Sequence, residues 1–164
     1  MRWLPFAIII MSSLISLWIV FNNFKNTQYF KLIVLAIVYF TGLGIILFTP
    51  ISFDGRSVYF MEQGIGRVNK TRLYLHGLGF TENIILTIPL GMILKKFVPQ
   101  LPIAILGLIG LILSSGIEIT QYYLSQNFLI NRSSDINDII ANTIGVIVGC
   151  FVIIAFNRLE SNKN

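Results

Sequence analysis

The sequence has one cysteine, one histidine and little charge. A lone thiol, Cys150, cannot form an internal disulfide, and with His76 as the only imidazole the common Cys/His zinc sets are excluded. Lys, Arg, Asp and Glu make up 12% of the chain, against about 25% in soluble domains. With 55% hydrophobic residues and a mean hydropathy of +0.79, that shortage points to lipid as the solvent. No Gly-x-Ser-x-Gly, His-Glu-x-x-His or phosphate-loop motif occurs, which removes three common catalytic signatures. No internal repeat is present, which disfavours a repeat-built transporter. The net charge is +5, yet the basic residues lie scattered between apolar runs and form no stripe, so nucleic acid is not an expected partner.

Long apolar runs are what the chain has in quantity. A membrane-crossing helix needs about 20 residues, and five runs qualify, at about 4–21, 30–48, 82–97, 101–123 and 135–156. The expected architecture is an all-α bundle of five transmembrane helices in a single domain over residues 1–164. The first run follows Arg2 but leads into FNNFKNTQ without a small-residue cleavage pattern, so it reads as a retained span. The third is short and carries Asn83, Thr87 and Pro89, which predicts a kink. Between the second and third lies a connector, about 49–81, containing ISFDGRSVYFMEQGIGRVNKTRLYLHGLGF. It is too polar to cross a membrane and too aromatic for a plain linker, so a re-entrant or interface-lying segment is expected. His76 within it reads as an interfacial hydrogen-bonding residue.

Five spans put the connector, the end of the fourth span and the start of the fifth on one face. That face holds Arg2, Arg56, Arg67, Lys70, Arg72 and Arg132, with Asp54, Glu62, Glu82, Glu118, Asp135 and Asp138. The other holds Lys25, Lys31, Lys95, Lys96, Arg158 and Lys163, with Glu160 as its one acid. Basic residues, which set orientation, tie between the faces. The Lys95-Lys96 pair in a very short turn tips that face to the cytoplasm and the acidic, polar face outward.

The fifth span opens with RSSDINDIIANTIGVIVG. On a helix Asp135, Asp138, Asn142, Gly145 and Gly149 form one stripe, polar near the membrane surface and small deeper in. Gly145 and Gly149 are a small-xxx-small packing pair. In the fourth span Glu118 and Gln121 share a face at roughly the same depth. At ~1.5 Å per residue Glu118 lies ~8 Å from its span's end, and Asn142 ~10 Å into its own. Asn83 joins from the third span. Asp135 also reads simply as a helix-capping acid, and a purely structural Glu118–Arg132 pair is an alternative. A hard-cation site from the oxygens of Glu118, Asp135 and Asp138 is chemically conceivable, but the spacing matches no ligand motif; neither metal nor cofactor is expected.

The ordered set Asn83, Pro89-Leu90-Gly91, Glu118-x-x-Gln121 and Arg132-x-x-Asp135-x-x-Asp138-x-x-x-Asn142-x-x-Gly145-x-x-x-Gly149 resembles the VanZ-like family over residues 83–149. These are small bacterial integral membrane proteins named after a teicoplanin-resistance accessory protein. The connector departs from the family pattern, lacking the Asn-Leu-x-Pro-Phe-like stretch that members often carry. The resemblance implies a multi-pass protein of the bacterial cell membrane linked to glycopeptide tolerance or envelope chemistry. Three functions stand open. The polar cluster could bind the headgroup of a membrane lipid or lipid-linked envelope precursor. In that case Arg132 meets an anionic group, Glu118, Asp135 and Asp138 hold it and accept donors, and Asn83, Gln121 and Asn142 supply neutral hydrogen bonds. Glu118 could instead be the general acid/base of a membrane enzyme. The third possibility is an ion-pair network that only supports the bundle of a partner-dependent protein.

Overall fold

The computed structural model describes residues 1–53 and 56–161; Asp54 and Lys163, counted in the charge comparison above, lie outside the described residues. The elements run α1 (Leu4–Asn23), α2 (Phe30–Phe48), β1 (Ile51–Phe53), β2 (Val58–Phe60), β3 (Val68–Asn69), α3 (Leu78–Phe97), α4 (Ile103–Phe128), β4 (Ser134–Asp135) and α5 (Ile136–Ser161). All five helices are long and apolar enough to cross a membrane. The chain is a multi-pass, all-α membrane protein.

The helices overrun the apolar runs because hydropathy measures the greasy length rather than the hydrogen-bonded length. α4 continues through the polar Ser125, Gln126 and Asn127 to Phe128 and ends where Leu129 turns left-handed at φ 55°. α3 starts at Leu78, just after Gly77, whose φ of 104° suits glycine and lets the chain turn into the helix. α4 and α5, at 26 residues each, measure roughly 39 Å, longer than the ~30 Å hydrocarbon layer, so their polar ends can project.

The chain divides into two units, Met1–Arg67 with Thr120–Ser133, and Val68–Ile119 with the residues from Ser134 onward. In the first, α1 and α2 pack as neighbours through a Ser13–Thr41 hydroxyl contact and the approach of Ile9 to Gly44. α1 buries only Pro5 and Val20, the pattern of a helix apolar all round whose solvent is lipid. Beyond α2 the connector folds back as an antiparallel β1–β2 pair, with Ile51 opposite Phe60 and Phe53 opposite Val58. Arg2 donates to the Met61 carbonyl at 2.5 Å, and Trp3 meets Phe60 edge-on, which ties the start of α1 to this pair.

The second unit is built on α3 and α5. The buried side of α5 reads Asn137, Ala141, Asn142, Gly145, Val146, Gly149, Cys150 and Ile153, one stripe of mostly small residues. A Cβ on Gly149 would stand 2.1 Å from the Ile88 carbonyl oxygen, and one on Gly91 2.0 Å from that of Val146. One on Gly145 would stand 2.1 Å from Thr87 Oγ1. The two backbones therefore touch, as small-residue stripes permit in lipid, where packing rather than hydrophobic exclusion drives association. Pro89 lies inside α3 and removes one helical donor. At the far end Lys95 Nζ donates to the carbonyls of Pro99 and Leu101 at 2.7 and 2.8 Å, fastening the short turn into α4.

Candidate functional site

The start of α5 is a polar knot. Asp135 precedes the helix, and its Oδ1 accepts the Asn137 backbone N–H at 2.8 Å, the geometry of a capping aspartate. The same oxygen accepts the Asn137 side-chain amide at 2.6 Å and Asn69 Nδ2 at 2.9 Å, while Oδ2 accepts the Tyr74 hydroxyl. Burial opposes ionisation of Asp135, but these hydrogen bonds outweigh it and hold the carboxyl below its ordinary range. The same bond raises the pKa of Tyr74, with burial and the Asp135 charge adding to it. Short parallel pairing of β3 with β4 sets Asn69 opposite Asp135.

Asn137 is fully buried and has each polar side-chain atom bonded: Nδ2 donates to the Arg72 carbonyl at 2.9 Å, and Oδ1 accepts the Tyr74 N–H at 2.8 Å. It clips the end of the connector to the helix start. Nothing in its sequence neighbourhood distinguishes it from any helical asparagine, and the connector partners Arg72 and Tyr74 lie more than 60 residues away. Asn69 and Tyr74 escape sequence reading for the same reason.

Glu118, on α4, is 4% exposed. Its Oε2 accepts the Asp135 backbone N–H at 2.7 Å, and the Ser134 side chain, Asp138 and Asp135 are its electrostatic neighbours. Asp138 lies beside Asp135 and the Asn83 side chain. One and two turns further in, Asn142 donates to Ser114 Oγ at 3.0 Å, and its carbonyl accepts the Thr87 hydroxyl at 3.0 Å. Asn83, Glu118, Asp135, Asp138 and Asn142 thus belong to one unit and one polar cluster, lined by acceptors and amides. Among the described residues no group of three or more His, Cys, Asp or Glu is placed to hold a metal ion.

Gln121 and Arg132 belong to the other unit and work on the end of α2. A helix leaves its last carbonyls unpaired, and here side chains meet them. Gln121 Nε2 donates to Leu47 O at 3.1 Å in the last turn of α2, Arg132 Nε to the O of Thr49, the residue that caps it, at 3.0 Å, and Arg132 Nη2 to the O of Ile51, where β1 begins. A cation suits that negative helix end. Burial brings the Arg132 pKa down to about 10, which leaves it protonated at neutral pH. α5 begins at Ile136, so Arg132 is not on that helix. Gln121 Oε1 is buried without a hydrogen-bond donor among the described residues, which is uncommon. Ser125 Oγ accepts the Gly66 N–H at 2.8 Å, and a Cβ on Gly66 would collide with the Arg132 carbonyl oxygen at 1.7 Å.

The sequence model of the VanZ/LLP1 family matches residues 3–157, well beyond the 83–149 core that carries the motif. No curated protein and no solved structure gives a significant match.

Proposed function

The chain belongs to the VanZ/LLP1 family, and from that premise we propose that its α5 polar cluster binds the headgroup of a polar lipid or lipid-linked envelope precursor. The observation that carries this reading is Glu118, a carboxylate buried on a membrane-length helix with Asp135 and Asp138 beside it. Acids at such depth are costly, and they mark function more often than scaffolding. One backbone N–H and a serine hydroxyl serve Glu118, whereas a carboxylate offers about four acceptor positions. The complementary ligand is rich in donors: sugar hydroxyls, an ammonium or peptide N–H groups, all present on envelope precursors and absent from a bare phosphate diester.

Arg132 holds the chain where α2 passes into β1, because its Nε and Nη2 face the backbone carbonyls of Thr49 and Ile51. The polar face is outward, where envelope precursors are consumed, and the link to teicoplanin tolerance follows from binding them there.

Two measurements test the reading. Lipids co-purifying with the protein, compared with the bulk membrane, should be enriched in species with hydroxyl- or ammonium-bearing headgroups; an unselected lipid complement would overturn headgroup binding. Expression in a glycopeptide-susceptible bacterium should raise teicoplanin tolerance, and Asp138→Asn should remove the gain at equal membrane abundance. No gain with the unmodified chain would overturn the tolerance link alone.

A further inference from the structure

Residues 68–78, which lead into α3, carry a concentrated set of exposed apolar and basic side chains. Leu73, Leu75 and Leu78 are 63%, 55% and 77% exposed. Lys70 and Arg72 are exposed beside them. A strip of leucines facing water is unfavourable and marks a surface that something covers.

The strip is held from beneath. Asn69 Oδ1 accepts the Arg72 N–H at 3.0 Å, and its Nδ2 donates to the Arg72 carbonyl at 2.8 Å, so one side chain closes the turn that displays Lys70 and Thr71. Asn137 then binds the Arg72 carbonyl and the Tyr74 N–H. Tyr74 sends its hydroxyl inward to Asp135, while Leu73 and Leu75 on either side of it remain exposed, the alternation of an extended segment. The result is a sorted surface. The acids Glu118 and Asp135 are buried and Asp138 is half-buried, whereas the cations and leucines stand outside.

Position says what covers it. Leu78 is the first residue of α3, a helix of membrane-spanning length, so the strip lies where that helix leaves the hydrocarbon. At that level leucines sink into the acyl boundary, aromatic rings favour the interface, and Lys and Arg meet lipid phosphates. We infer that residues 68–78 form an interfacial strap that docks on the membrane leaflet, with Leu73, Leu75 and Leu78 inserted and Lys70 and Arg72 contacting anionic phospholipids. The charge pattern favours anionic lipid: Lys70 and Arg72 are exposed in the strip itself, whereas the partly exposed acids Glu82 and Asp138 lie on α3 and α5 rather than in it. The strap is a different surface from the headgroup cluster, although Asp135 anchors it, and the inference does not rest on headgroup binding.

The test uses the full chain with Cys150→Ala and Leu75→Cys, the new thiol carrying an environment-sensitive fluorophore. The protein is reconstituted in nanodiscs of phosphatidylcholine alone or with added phosphatidylglycerol. The strap gives blue-shifted emission quenched by nitroxide lipids, and phosphatidylglycerol increases both effects. Lys70→Ala with Arg72→Ala abolishes the phosphatidylglycerol-dependent increase at unchanged melting temperature, since among the described residues the bonds of Arg72 are made by its backbone atoms. Water-like emission insensitive to quencher overturns the inference, as does a shift seen only in membranes containing other proteins, which would make the occupant a protein. A lipid response unchanged in the double variant overturns the role of Lys70 and Arg72.

Discussion

The carboxylate of Glu118, on α4, accepts the backbone N–H of Asp135, the residue that caps α5, at 2.7 Å. One bond thereby links the end of one span to the start of the next. Gln at 118 retains a carbonyl acceptor for that N–H, whereas Ala leaves it buried and unpaired, a loss of ~1–3 kcal/mol. Glu118→Ala should lower the melting temperature of the purified protein, and Glu118→Gln should stay close to wild type. Equal melting temperatures for the wild type and both variants would show that the bond contributes nothing to stability.

Gly149 meets the backbone of α3, while a Cβ on Gly116, on α4, would have no neighbouring atom within 4 Å. The same substitution should act in opposite directions at the two sites. Gly149→Ala forces the helices apart and should destabilise by roughly 1–3 kcal/mol. Gly116→Ala fills open space in a helix and should stabilise by about 0.5–1 kcal/mol. Thermal unfolding of the two variants checks this, and equal shifts would contradict the packing.

The glycine stripe and the acid–amide stripe were legible in the sequence because helical periodicity alone lines up Asp135, Asp138, Asn142, Gly145 and Gly149. The five spans were legible from hydropathy, and their ends were not, since polar turns such as Ser125–Asn127 stay helical. The rest depends on residues far apart in the chain. Gln121 reaches Leu47 and Arg132 reaches Thr49 across 74 and 83 positions. Asn69, Tyr74 and Asn137 form one network only after the connector has folded back onto α5, and no local pattern announces that.

Acid should loosen the α5 start. Hydrogen bonds hold the Asp135 pKa below its unfolded value of about 3.9, so their contribution is full above that pH and is lost as pH falls through the folded value. Tyr74 is shifted the other way, so its share is full below about 10 and fades as pH rises through its raised value. The contribution of the Asp135–Tyr74 bond to the melting temperature should be full between these limits and be lost below about pH 4. Tyr74→Phe should lower the plateau by about 1 kcal/mol, the ring being half exposed, and should shrink the acid-induced drop. An acid drop of wild-type size in that variant would remove Tyr74 from the explanation.

Orientation is tested by thiol labelling in intact cells. Ser125 is 2% exposed and accepts the Gly66 N–H, which makes it unsuitable as a reporter, so the exposed Gln63 serves for the polar face and the exposed Gln100 for the lysine turn. Gln63→Cys should react with an impermeant reagent and Gln100→Cys should not, with the buried Cys150 silent in both. The reverse pattern would put the acidic face in the cytoplasm.

Whether the buried acids of the α5 cluster hold a donor-bearing headgroup is read by native mass spectrometry of the wild type and the Glu118→Gln, Asp138→Asn double variant. Both changes keep the size and leave one acceptor oxygen each, while replacing the acid with a neutral amide. The wild type should leave detergent with a bound lipid enriched over the bulk membrane, and the double variant should lose that lipid at a preserved melting temperature. The same lipid retained at the same occupancy in both would contradict it.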